Sequence, residues 1–238
     1  MRPRDIPNVH TAADMLDRLV TISDRGIDLE RLLAMAPADR PLHLSLVSGL
    51  EDAPHQAHAR GRVEALEGEL AETGPSDKLW FHRRNFHQTL ATWGSHPGQG
   101  SAKHRTIVSG LQACFERHAH RLATVETFAH VPELARSGLN LRSLLHSWDA
   151  GILDDFLLDL EHMGAKTQRR RGLSTSFARY RHVADHDAWR PLMDFLWDHR
   201  EAPPPPAPRC PLLPLQLVVL DKLAESVVVV LRLPSAKP

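Results

Sequence analysis

Residues 166 to 184, KTQRRRGLSTSFARYRHVA, hold six Lys or Arg and no acid, with hydroxyl residues between the arginines. That mixture suits phosphate. Arginine forks onto phosphate oxygens through two parallel N–H donors, and hydroxyls add short contacts that fix register. The free N–H groups at a helix start accept an anion. Lys166, Thr167, Arg169, Arg170, Arg171, Ser174 and Arg179 are therefore the expected contacts to a DNA backbone. Each neutralised phosphate would release counterions, so binding would weaken steeply with salt. An arginine-rich solvated face with no ligand explains the same residues.

Other chemistry-bearing residues form weaker patterns. Of the 16 histidines, His182 and His186 stand at the i, i+4 spacing that chelates from one helix face. His186-Asp187, with Asp194 and Asp198 downstream, has the sense of a metal phosphohydrolase but lacks the spaced series. There is no HExxH and no CxxC, so no metal and no cofactor is expected. The loop GSHPGQGSAKH (94–104) lacks the register of a phosphate-binding loop and reads as a connector. Cys114, in ACFERH, reads as a core residue, and the five tryptophans read as packing between helices.

These residues need elements to position them. Apolar side chains make up 42% of the chain and aromatics only 5%, so the core is built on Leu, Val and Ala, which favours helices. Helical spacing appears twice in 11–36, and again in 62–72, 78–93, 106–131, 141–148, 154–164, 173–186 and 187–200. On the helix 173–186, Leu173, Phe177, Tyr180 and Ala184 form a buried stripe. EAPPPPAPRCP (201–211) reads as a polyproline II spacer, and Val227–Val230 as a strand with no nearby partner. The expected fold is mostly α: helical bundles, a Pro-rich hinge and a short apolar tail. Three segments follow: an acidic helical unit 1–75, a mildly basic helical domain 76–200, and linker plus tail 201–238.

Residues 152–186 resemble the middle of the core-binding domain of tyrosine recombinases of the phage-integrase type. Gly164, Thr167, Arg169, Arg170, Arg171, Leu173, Ser174, Phe177 and Tyr180 occupy the matching slots. The resemblance implies a four-helix unit that clamps DNA on one face, with 106–122 as its first member. His118-x-x-Arg121 has the form of the family's His-x-x-Arg pair, and Tyr180 has the local setting of its nucleophile. Yet 59 residues separate Arg121 from Tyr180, and the stripe predicts a buried tyrosine. The resemblance therefore implies a truncated or degenerate relative, not a complete recombinase.

The formal net charge is zero but unevenly spread. Residues 1–75 carry 8 basic and 13 acidic side chains, and residues 76–200 carry 17 and 13. A polyanion should dock on the middle segment. The apolar run 212–233 is broken by Pro214, Asp221, Lys222 and Glu225, which argues against a membrane span. Two cysteines and no apolar leader suit a reducing cytoplasm. The expected function is DNA binding tied to recombination or integration of a mobile element. The alternative is a helical interaction module that recruits protein partners through 1–75 and the tail. A His/Asp metal-dependent hydrolase is third.

Overall fold

Leucines at every second position of Leu42–Ser48 (β1) put Leu44 and Leu46 on one side of a strand. Ser45 and Val47 are buried as well, so both faces of β1 are covered. This strand lies inside a large sheet. The computed structural model describes residues 13–14, 29–73, 78–135, 138–169, 173–181, 186–200 and 206–234. Among these, the helices are α1 (Leu29–Ala34), α2 (Ala53–Thr73), α3 (Ala102–Leu122), α4 (Ser147–His162) and α5 (His186–Arg200). The further strands are β2 (Leu79–Phe81), β3 (Gln88–Ser95), β4 (Glu126–Ala135), β5 (Gly138–Leu145), β6 (Lys166–Thr167), β7 (Ser174–Tyr180), β8 (Pro206–Pro211), β9 (Leu215–Asp221) and β10 (Val227–Leu233).

All ten strands join one antiparallel sheet in the order β10-β9-β1-β3-β7-β5-β4-β8. Short β2 pairs with β7, and β6 with β3. The mostly α expectation is thus overturned: the protein is a mixed α/β fold. The segment 78–93 is not a helix but β2, a connection and β3. Leu79 and Phe81 point inward at the strand period of two, and Asn85 breaks any helix with a left-handed φ of 57°. The segment 141–148 lies mostly in β5, where Leu139, Leu141 and Ser143 are buried alternately. The segment 106–131 is helical only to Leu122; its end, 126–131, begins β4, which runs on through Pro132.

The segment 173–186 is likewise not a helix where it is described. Leu173, Phe177 and Tyr180 are buried as expected, but from a strand. Leu139 pairs with Ala178 and Asn140 with Ser176, so Phe177 is an extra residue, a bulge. The bulge shifts the inward phase of β7 and mimics helical spacing. The four-helix arrangement implied by the resemblance is therefore not formed by these residues. Residues 206–211 of the expected spacer form β8, and β10 has a partner after all, β9. Strand β1 pairs with both β3 and β9, so residues from all three expected segments share the sheet.

The helices read from sequence survive where their signals are local. In α3, Ser101 caps the start by accepting from His104 N at 3.1 Å, and Ile107, Leu111, Cys114, Phe115 and Leu122 face the core. Helix α4 ends at Gly164 with φ of +80°, where Ala165 N bonds Leu160 O at 3.0 Å. Helix α2 starts nine residues before the expected 62. Asp52 caps it through His55 N, and Pro54 fits the first turn. One core cluster joins α3 and α4 to β1, β3, β9 and β10; a second joins α2 and α5 to β2, β5 and β7.

Candidate functional site

The expected DNA-contacting residues divide between two places. Lys166 and Thr167 form β6 beside Thr92 and Ala91 of β3. Thr167 donates to Glu161, and the Arg169 guanidinium lies 3.3 Å from the same carboxylate. Ser174 opens β7 opposite Arg142. Arg179 is five residues further along, about 17 Å at the strand rise. There it turns inward and donates to Lys222 O at 2.9 Å. Arg170 and Arg171 lie outside the described residues, as does His182; the side chain of His186 is also undescribed. The structure therefore gathers Lys166, Thr167 and Arg169 at the end of α4 and separates Arg179 from them.

Around Arg179 lies a site that the sequence reading missed. The β9–β10 turn presents two backbone carbonyls to side chains from elsewhere: Arg179 donates to Lys222 O at 2.9 Å and Asn85 Nδ2 to Ala224 O at 2.7 Å. Asn85 and Ala224 both have left-handed backbones, with φ of 57° and 54°. They are the two non-glycine residues with positive φ among those described. Strain of this kind costs about 1–3 kcal/mol per residue and gathers at functional sites. Below the turn, Asp221 accepts from Glu225 N and Ser226 N and pairs with Arg40 at 3.1 Å.

Burial sets the charge here. The His82 imidazole is held well below its usual range, first by burial and then by Arg179 and His87. Burial also lowers His87, partly offset by its 2.7 Å bond to Asn85 O. Arg179 is lowered by burial, with Asp221 opposing. Burial thus favours the neutral form of both rings.

In front of this turn opens a cleft of about 730 Å³, lined by Glu67 and Ala71 of α2, Leu79, Trp80 and Phe81 of β2, Arg83, Arg181 and Glu225. Trp80 is partly exposed and meets His82 edge-on, ring centres 4.7 Å apart. Each charged group on the rim has an opposite partner. Arg83 grips Glu67 with both terminal nitrogens, Arg181 reaches Glu30 of α1 at 3.0 Å, and Glu225 pairs with Arg40. Among the described residues the lining offers two cations, two anions and an indole, and no thiol, hydroxyl or imidazole. The missed signal was His82-Arg83-Arg84-Asn85, where an Asn among long side chains marks a turn.

No family model matches the chain, and no curated protein matches it.

Proposed function

We propose that this protein binds a small zwitterionic ligand, of the amino-acid or short-peptide class, in the cleft over Trp80. The observation that carries this reading is the mixed-sign rim around an aromatic wall. A ligand of one charge sign would displace one partner of each rim pair and leave the other without compensation. A zwitterion replaces both: its carboxylate takes Arg83 or Arg181, and its cation takes Glu67 or Glu225. The Arg83–Glu67 and Arg181–Glu30 pairs are exposed or half-exposed and worth about 0–1 kcal/mol each, so exchanging them costs little, whereas Arg40 beside Glu225 is buried and keeps Asp221 as its partner. Apolar ligand atoms would lie on the partly exposed Trp80 ring.

Calorimetry with aromatic dipeptides, capped and uncapped, tests this. Saturable binding of the uncapped forms is expected, weakened at least about tenfold by Trp80→Ala or Arg83→Ala, as for loss of an aromatic or arginine anchor. Equal binding of capped forms, or none at all, would remove the reading.

Nucleic-acid binding is the second reading, and exposed Lys166 beside Arg169 favours it. The Arg169–Glu161 pair is a surface pair, weak enough for a phosphate to displace. Arg170 and Arg171 follow directly in sequence. Duplex binding that falls steeply with salt, and weakens in the double variant Arg169→Ala, Arg170→Ala, is the outcome this reading requires. A link to recombination depends on the same residues and stands or falls with that binding.

A further inference from the structure

Helices α3 and α4 pack side by side, and their seam holds three side chains that neither reading above uses. Cys114 and His118 are four residues apart on α3, one turn, and so share a face. Asp159 comes from α4. One donor atom from each residue can be chosen so that all three lie within 4.8 Å of one another. Cys114 is fully buried, while His118 and Asp159 lie progressively nearer the surface. His118 Nε2 lies 2.9 Å from Asp159 Oδ2, and its Nδ1 is buried with no partner among the described residues. The edge of the imidazole rests against Phe156, ring centres 5.5 Å apart, which fixes its plane with an apolar wall.

We propose that this seam is a metal site in which Cys114, His118 and Asp159 hold one divalent transition ion of the zinc class. The donor set selects the ion. Thiolate, imidazole and carboxylate together suit zinc or cobalt, whereas magnesium and calcium take oxygen donors. A tetrahedral ion with three protein ligands keeps a fourth position for water or an outside ligand. The fully buried thiol sets that position on the side of His118 and Asp159. Uptake breaks the Cys114 S–H bond and forms a sulfur–metal bond, and the proton leaves to solvent. Arg117 also bonds Asp159 Oδ2, at 3.0 Å, but its side chain is 60% exposed and can swing outward as the ion arrives.

Cobalt(II) titration of the full chain is the test. One equivalent is expected, with a thiolate-to-cobalt charge-transfer band that zinc displaces. Cys114→Ser should abolish the band, and Cys210→Ser should leave it intact. His118→Gln and Asp159→Asn should each weaken uptake at least about tenfold, as ligand loss does. Should the Cys114→Ser variant, altered in the core, fail to fold, Asp159→Asn, half-exposed and checked by unchanged circular dichroism, carries the test alone. Absence of stoichiometric uptake, or uptake unchanged in His118→Gln and Asp159→Asn, overturns the proposal and assigns the three residues to helix packing.

Discussion

The buried histidines make stability depend on pH. His55 is almost wholly buried, lies 3.2 Å from Thr175 Oγ1, and has its pKa lowered to about 4, first by burial. Its unfolded value is about 6.5. Between these values the unfolded chain takes up a proton that the folded chain refuses. Stability is therefore full above about pH 6.5 and falls as pH drops toward 4, by at most roughly 3 kcal/mol for His55. His82 and His87 are shifted in the same direction and add to the loss. Melting temperature should fall steadily from pH 7 to pH 4, and less steeply in His55→Gln; a flat profile would show that these rings are solvated. A second residue-scale expectation concerns Arg40. Its side chain and that of Asp221 are both buried, so Arg40→Ala strands a carboxylate in the core. A loss of about 3–5 kcal/mol by urea denaturation is expected, and a loss under 1 kcal/mol would place the pair in water.

At the scale of elements, the sheet depends on close backbone approach. A Cβ on Gly138 would lie 1.9 Å from Ala178 O, on the facing strand. Only glycine fits where β5 meets β7. Gly138→Ala should part these strands at one end, with a loss of about 1–3 kcal/mol or more; melting temperature checks it, and an unchanged value would mean that the strands are further apart. Helices α3, α4 and α5 were legible because their signals are local. Gly164 and the apolar spacings of Ile107, Leu111 and Phe115 act within a turn or two, whereas Ser101, read as part of the connector 94–104, caps α3, which starts four residues before the expected 106. Strands β2, β5 and β7 were not legible. Short apolar runs suit either period, and their partners lie far along the chain. Phe177 shows the ambiguity most plainly, since one bulged residue gave β7 the spacing of a helix stripe.

For the whole molecule, the C-terminal residues decide the fold. Leu212, Leu213, Leu215, Leu217, Val219 and Leu233 belong to the same core cluster as α3 and α4. Strand β9 covers one edge of β1 from Leu42 to Val47. A chain stopped after Arg200 should show no cooperative unfolding transition and should aggregate through the bared edge of β1; cooperative melting at the full-length temperature would refute the sheet order. No helix among the described residues is long and apolar enough to cross a membrane. The sequence by itself determined the apolar spacing of α3, α4 and α5, the Gly164 stop, the burial of Cys114, Leu173, Phe177 and Tyr180, and the strand at Val227–Val230, because each depends on side-chain size or on neighbours a few residues away. Only the tertiary structure decided the sheet, the cleft over Trp80 and the meeting of Cys114 and His118 with Asp159. The physical reason is distance along the chain. Arg179 meets Lys222, Asn85 meets Ala224, and Arg40 meets Asp221 only after the strands between them have paired, and no local propensity encodes that pairing.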